Sequence, residues 1–186
     1  MRLFFAVELP SEAQAALGRL RPSAIWAADY RWVDPSMMHV TLAFLGEQPA
    51  AALESLHQAA AAAAKASRPG ALSTGAAGSF GPARAPRVLW VGFHGDLTPL
   101  LEAQARLSDE LLKAHFALED RAFRAHITLA RRRASASGAP VSWPPATSPP
   151  RLSFPMQRLT LFESRLGPAG ARYTPVDHFP LKPARE

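Results

Sequence analysis

Apolar and polar residues alternate along several short stretches of this chain, and a period of two is typical of half-buried β-strands. The alternation predicts eight strands, at 2–9, at 30–33, from His39 to Gly46, at about 72–80, 87–93 and 124–131, and near 152–164 and 171–181. Longer stretches with helix-start residues predict helices over 11–20 and 49–67 and from Thr98 onward. Ser11 is expected to cap the first helix, with Gln14 completing a capping box.

The order strand, helix, strand occurs twice along the chain, with extra strands between the two units. This order predicts an α+β fold that is bilobal and duplicated about a pseudo-twofold axis, with two antiparallel sheets flanking a central cleft and helices on the outside. Residues 1–186 are expected to form a single domain of this kind. The segment 133–151 contains five prolines among Ser and Ala, so we predict a long loop there, one that could alter the substrate entrance.

A five-residue motif occurs in two of the predicted strands, as His39-Val40-Thr41-Leu42-Ala43 and as His126-Ile127-Thr128-Leu129-Ala130. Residues i and i+2 of a strand point to the same face, so each copy presents an imidazole beside a hydroxyl. One such motif alone is more often an ordinary piece of strand, and a purely structural duplication is an alternative for the pair. However, a duplicated core would need only the Val, Ile and Leu positions, which gives no reason to repeat His and Thr.

The repeated side chains predict a catalytic site at the pseudo-twofold axis, formed by His39, Thr41, His126 and Thr128. An imidazole pair with two hydroxyl donors can move protons around a phosphodiester without a metal. One imidazole must be neutral to take a proton and the other must be charged to donate one, and histidine allows both forms near neutral pH. The spacing does not indicate which histidine has which role.

Arginines and aromatic residues beside the motifs are candidates for binding a substrate. Strict alternation places Arg124 and Arg132 on the histidine face, whereas Arg131 would need a bulge to reach it. The same alternation places Phe44 with the core residues, although Phe44 and Trp32 are also candidates for stacking on a base.

Composition narrows the class of partner. The net charge is +6 and the sequence pI is about 10.7, which favours an anionic partner such as RNA or a nucleotide. The chain has no cysteine, which excludes disulfides, thiol catalysis and Cys-based zinc sites. No segment is long and apolar enough to span a membrane, so we expect a soluble cytoplasmic protein, monomeric by default and without an obligate protein partner.

The paired motifs resemble the signature of the two-histidine phosphoesterase superfamily. The chain is most similar to the bacterial and archaeal RNA 2′,3′-cyclic phosphodiesterase branch, whose members are also called 2′-5′ RNA ligase-like proteins. The likeness covers nearly the whole chain and includes the segments 1–6, 31–33, 44–47, 86–90, 129–131, 161–164 and 170–173.

The resemblance implies metal-independent hydrolysis of terminal 2′,3′-cyclic phosphates to 2′-phosphates, without a cofactor. The implied partners are RNA ends or nucleotides that carry a cyclic phosphate. By the same resemblance, His39 donates a proton and His126 accepts one. Thr41 and Thr128 would hold the phosphate oxygens, and Arg131 matches the family at a candidate substrate-binding position.

Three other functions stay open on the sequence alone. The same site could join a cyclic phosphate end to a 5′-hydroxyl as a 2′-5′ bond, independently of ATP because no nucleotide-binding motif is present. The basic pI also fits a non-catalytic RNA-binding module, whose binding would depend steeply on salt. A metallophosphoesterase would normally need Asp or Glu close to the histidines, and neither motif contains one.

Overall fold

The structure, a computed structural model, describes residues 1–138, 140–145, 148–167 and 170–182. Its strands are β1 (Arg2–Glu8), β2 (Tyr30–Trp32), β3 (His39–Glu47), β4 (Gly70–Phe80), β5 (Val88–His94), β6 (Ile127–Arg132), β7 (Ser153–Met156), β8 (Arg158–Gly167) and β9 (Gly170–Pro180). Its α-helices are α1 (Ser11–Gly18), α2 (Leu53–Ala66) and α3 (Thr98–Lys113). Within these described ranges, no helix has the length and hydropathy needed to cross a membrane.

The strands form one antiparallel sheet in the order β7-β4-β5-β6-β3-β1-β8-β9, with β2 paired to β6. This order divides into two halves of four strands, β6-β5-β4-β7 and β3-β1-β8-β9, and each half begins with the strand of one motif. They meet where Val40 of β3 pairs with Ile127 of β6. The predicted α+β class and duplicated architecture are confirmed, and the pairing of β3 with β6 joins the two predicted sheets into one continuous sheet.

Helices cover one face of the sheet and create the core. Phe5, Val40 and Ile127 are fully buried on this face, and they belong to one cluster with residues of α2 and α3. The helices contribute Leu56, Ala60, Ala63, Leu100, Ala103, Leu107 and Leu111 to that cluster. Each fully buried aliphatic or aromatic side chain stabilises the fold by roughly 1.5–3 kcal/mol. The packing therefore leaves the opposite face of the sheet available for a cleft.

The first helix begins differently from the prediction. Pro10 occupies the N-cap position of α1 and Ser11 is already helical, so the capping box does not form. Gln14 instead turns its side-chain amide toward the 3₁₀ helix before β3, where it donates to the carbonyl oxygens of Ser36 at 3.3 Å and Met38 at 3.5 Å. Gln14, which was expected to complete the capping box of α1, therefore holds the segment that leads into the first motif.

The proline-rich segment 133–151 is a loop in its described part, as predicted. Its Val141 and Trp143 pack on a second buried cluster that includes Tyr30 and Leu89. Leu89 belongs to the core face of β5, because the next residue along this strand faces the histidines. This part of the loop therefore packs on the core face of β5, and the expectation that the segment alters the substrate entrance stays a prediction.

Candidate active site

The two histidine motifs cross at the centre of the sheet. In the register set by the Val40–Ile127 pair, the histidine of each motif lies opposite the threonine of the other. Val40 and Ile127 are fully buried in the core, so their neighbours on either side point to the opposite face. The four side chains that share this face are His39, Thr41, His126 and Thr128, all partly buried.

Each imidazole is held by the backbone carbonyl two residues before it. Nδ1 of His39 lies 2.8 Å from the carbonyl oxygen of Met37, and Nδ1 of His126 lies 2.7 Å from that of Arg124. A carbonyl oxygen only accepts hydrogen bonds, so each Nδ1 carries a proton and donates it. Nε2 is therefore the nitrogen left for chemistry. Nε2 of His39 lies 3.0 Å from the hydroxyl of Thr41, which donates to it when the imidazole is neutral.

Burial keeps both imidazoles neutral in the free protein. The pKa of His39 is lowered from 6.5 to about 4, mainly by desolvation and in part by the charges of Arg131 and His126, while the hydrogen bond to the Met37 carbonyl acts in the opposite direction. Desolvation also lowers the pKa of His126, again with a contribution from Arg131. Both histidines are consequently bases near neutral pH, and one becomes a proton donor only when a bound anion raises its pKa.

Aromatic rings explain the deep burial of His39. The ring centroid of Phe4 lies 4.9 Å from that of the imidazole, and Phe162 stacks at 6.2 Å. Tyr173 approaches edge-on at 5.2 Å. Since β1, β8 and β9 supply these rings, the outer strands of this half of the sheet set the polarity around the first histidine.

A cleft of about 340 Å³ opens beside His126. Phe80 meets this imidazole edge-on with ring centroids 4.9 Å apart, and Trp90 lies at 6.3 Å. The cleft extends past these rings to Leu101 of α3. Arg124, a predicted substrate-binding residue, also lines it, with its guanidinium 5.6 Å from the Phe80 ring centroid. The second histidine is thus the more accessible of the two from an open, partly apolar cleft.

A β-bulge follows the threonine of the second motif. Trp90 of β5 pairs with Thr128, whereas the neighbouring Leu89 pairs with Ala130. Leu129 is therefore an extra residue in β6, and the alternation of faces is reversed beyond it.

The reversal places Arg131 on the histidine face and Arg132 on the core face. The charge of Arg131 lowers the pKa of both histidines. Arg132 instead lies near Tyr30. Burial raises the pKa of the Tyr30 phenol, and the charge of Arg132 lowers it in part. The prediction that Arg132 lies with the histidines is therefore wrong, because strict alternation does not include the bulge.

A matching bulge at Leu42 follows the first motif. Beyond it, Phe44 is 45% exposed and its ring centroid lies 6.1 Å from that of Phe4, on the histidine face. The placement of Phe44 in the core was therefore wrong. Trp32 packs against the core, and its Nε1 donates to the carbonyl oxygen of Ala27 at 2.9 Å. Of the two aromatic candidates for stacking, the structure places only Phe44 beside the cleft.

Sequence reasoning missed two arginines near the site. Arg31 is the cross-strand partner of Arg131, and the charge of Arg121 contributes to the lowered pKa of His126. Arg31 lies in a three-residue strand eight residues before His39, and the pairing of β2 with β6 places it directly opposite Arg131.

Comparisons with known proteins give matches in both sequence and overall structure. A sequence profile of the 2′-5′ RNA ligase superfamily matches residues 9–168. The chain is 33% identical to the RNA 2′,3′-cyclic phosphodiesterase of Thermus thermophilus over 190 aligned residues, which cover 98% of this chain and 91% of that protein. It is 34% identical to a protein of the same name from Geobacillus stearothermophilus over 69% of this chain, and this match spans only 41% of that relative. The crystal structure of Escherichia coli LigT complexed with 3′-AMP has a TM-score of 0.79 and 29% identity, with 97% of both chains covered.

Proposed function

Since the chain belongs to the 2′-5′ RNA ligase superfamily, we propose that it is an RNA 2′,3′-cyclic phosphodiesterase that hydrolyses terminal cyclic phosphates to 2′-phosphates. The observation that carries the proposal is the pair of motif histidines on one face of the sheet, each with Nδ1 held by a carbonyl and Nε2 left for proton transfer. The resemblance to proteins of that name supports the substrate class.

His126 accepts the proton of the attacking water in the proposed reaction. Its Nε2 is unprotonated in the neutral imidazole, and this residue lines the open cleft. As the water oxygen bonds to phosphorus, its proton passes to Nε2. A positioned general base typically contributes about 10²- to 10⁴-fold in rate.

His39 donates a proton to the ribose O3′ as the P–O3′ bond breaks, which leaves the phosphate on O2′. The imidazole must be protonated for this step, and its pKa of about 4 disfavours that in the free protein. The negative charge of a bound cyclic phosphate raises the pKa of a nearby imidazole. Substrate binding therefore creates the acid. The choice of His39 as donor follows the family resemblance, because the spacing of the motifs does not assign the two roles.

Three further donors stabilise the charge on the five-coordinate phosphorus in this proposal. Thr41 and Thr128 flank the crossing of β3 and β6 on the histidine face, and Arg131 lies on the same face beyond the bulge. Removal of one such donor typically costs about 10²- to 10³-fold in kcat.

Ligation is a second candidate reaction, and the superfamily name motivates it. A 5′-hydroxyl would replace water, so that its oxygen bonds to the 2′-linked phosphate while the P–O3′ bond breaks. The bond energy of the cyclic phosphate is conserved in this exchange, so we expect no requirement for ATP. Adding a 5′-hydroxyl RNA to the hydrolysis assay, with and without ATP, separates the two reactions.

The decisive experiment is hydrolysis of an oligoribonucleotide with a 2′,3′-cyclic phosphate in EDTA. We compare the wild type with His39→Ala and His126→Ala, and use His94→Ala, an exposed histidine at the end of β5, as the matched control. Phosphorus NMR identifies the product. We expect a 2′-phosphate from the wild type and from the control, and losses of about 10²- to 10⁴-fold in both motif variants.

The opposite results contradict the proposal in different ways. An inactive wild type that still binds the RNA would favour a non-catalytic binding module. Loss of activity in EDTA would favour a metallophosphoesterase. Full activity of His126→Ala would exclude the two-histidine mechanism. The single functional domain over 1–186, the monomeric state and the cytoplasmic location stay predictions.

A further inference from the structure

Arg31 and Arg131 form a like-charged pair directly across the ladder between β2 and β6. Both residues are exposed. Like charges directly opposite each other destabilise a sheet, and a nearby anion would offset this repulsion.

The structure offers no internal carboxylate to this pair. In the described part of the chain, no ion pair joins Arg31 or Arg131 to an acidic side chain. Four other arginines of the described chain are paired with glutamates at 2.6–3.3 Å; these are Arg106, Arg121, Arg158 and Arg165. The Arg31/Arg131 pair thus keeps its charge available for a partner outside the protein.

Both guanidinium groups lie on the cleft side of the sheet. Directly opposed residues of an antiparallel ladder point to the same face, and Arg131 is on the histidine face because of the bulge at Leu129. Tyr30, the neighbour of Arg31, is fully buried in the core, so Arg31 points the other way.

The two arginines stand at different distances from the reacting groups. Arg131 lies in β6, three residues after Thr128, and its charge lowers the pKa of His39 and His126, whereas Arg31 lies in the neighbouring strand β2. Arg131 is therefore close to the position of the cyclic phosphate, while Arg31 lies one strand further out. A strand of RNA places its next phosphate beyond the terminal nucleoside, which matches a second cation at greater distance.

We propose that Arg31 binds the internucleotide phosphate that precedes the terminal cyclic phosphate of an RNA strand. The inference rests on the proposed function, and it specifies the substrate class as an oligonucleotide in preference to a cyclic mononucleotide. A guanidinium group suits this role because its planar set of donors can bind two phosphate oxygens at once.

The test compares two substrates with the same terminal nucleoside, a 2′,3′-cyclic mononucleotide and a trinucleotide that ends in a 2′,3′-cyclic phosphate. The variant is Arg31→Gln, and Arg106→Gln on α3 is the control for a lost positive charge on the helical side of the sheet. We expect Arg31→Gln to lower kcat/KM for the trinucleotide about tenfold more than for the mononucleotide, mainly through KM, since charge-assisted hydrogen bonds have this magnitude. Arg106→Gln should leave the ratio unchanged.

A binding measurement separates failure of this inference from failure of the proposed function. A trinucleotide with a terminal 2′-phosphate is the product, so its affinity can be measured without turnover. Loss of one phosphate contact should weaken binding by Arg31→Gln and reduce the slope of log K against log salt by about 0.7. If the wild type hydrolyses neither substrate, the proposed function fails while this measurement still decides on Arg31. Equal effects on both substrates, or an unchanged affinity and salt slope, would overturn the inference.

Discussion

Leu42 and Leu129 are the extra residues of two matching β-bulges, each directly after the threonine of its motif. Each bulge reverses the alternation of its strand, so the residue two positions later turns to the histidine face. In one half of the molecule that residue is Phe44, and in the other it is Arg131. The backbone of the cleft is therefore symmetric, while its chemistry is not: one side offers an aromatic ring and the other a guanidinium group.

The bulge at Leu129 predicts that of two adjacent arginines only Arg131 contributes to activity. Arg131→Gln removes a cation from the histidine face, and we expect kcat/KM to fall by about 10²-fold. Because the charge of Arg131 also lowers the pKa of both histidines, the pH profile of the variant should shift to higher pH. Steady-state kinetics from pH 4 to 9 measure both effects.

Arg132→Gln is the matched control, because it removes the same charge one residue away on the core face. We expect its activity and pH profile to follow the wild type, with any loss confined to stability. A larger loss of activity in Arg132→Gln than in Arg131→Gln would contradict the reversed alternation.

The lowered pKa values of both histidines predict an acidic optimum for kcat/KM. This parameter reports the ionisation of the free enzyme, where one imidazole must be protonated and the other neutral. Because burial lowers the pKa of His39 to about 4 and also lowers that of His126, the bell-shaped profile should centre below pH 6.5.

The kcat profile should lie at higher pH than the kcat/KM profile, because the bound phosphate raises the pKa of the acid. Both profiles come from one series of initial rates at varied substrate concentration. A kcat/KM optimum at pH 7.5 or above would show that the pKa values of the two imidazoles are not lowered in the free enzyme.

The four motif side chains could be predicted from the sequence because their placement depends only on local geometry. His39 and Thr41 are two residues apart in one strand, as are His126 and Thr128, and alternation needs no knowledge of the partner strand. The repeated order of strands and helices could also be predicted, since the hydrophobic periodicity of a strand or a helix is a local property of the sequence.

The arginines could not be placed in the same way, because a bulge is a property of two paired strands. Nothing in the sequence of β6 alone indicates that Leu129 has no partner on β5. Arg31 reaches the cleft only through the pairing of β2 with β6. The packing of Trp143 likewise depends on residues distant in sequence, such as Tyr30 and Leu89.

His39 should make folding stability depend on pH. Its pKa is about 4 in the folded protein and near 6.5 in the unfolded chain, so the unfolded chain binds more protons between these values. This contribution to the free energy of unfolding is fully present above pH 6.5 and is lost as pH falls through 4. One pKa unit corresponds to 1.36 kcal/mol, so the loss amounts to at most about 3 kcal/mol.

Urea unfolding of the wild type and His39→Gln at pH 7.0 and 4.5 checks this effect. Other groups titrate alike in both proteins, so the difference in free energy of unfolding between them isolates His39. We expect the wild type to lose about 2 kcal/mol more than the variant on acidification. Parallel pH dependence of the two proteins would show that His39 titrates normally in the folded state.

Gly78 should be essential for the position of Trp90, its cross-strand partner. The indole ring lies flat over Gly78, and a Cβ atom at this position would overlap it. Gly78→Ala therefore forces the ring to move, and the centroid of this ring lies 5.2 Å from that of Phe80 and 6.3 Å from that of His126.

We expect Gly78→Ala to lose about 1–3 kcal/mol in stability from overpacking. We also expect kcat/KM to fall by about tenfold or more, because small displacements of catalytic groups are costly. Gly167→Ala is the control, since among the described residues its Cβ would meet the carbonyl oxygen of Gly170 at an ordinary 3.6 Å and nothing closer. Thermal unfolding, near-UV circular dichroism and initial rates measured on the same preparations separate the two effects. If stability falls and the tryptophan signal changes while kcat/KM stays at the wild-type value, Trp90 packs beside His126 without positioning it.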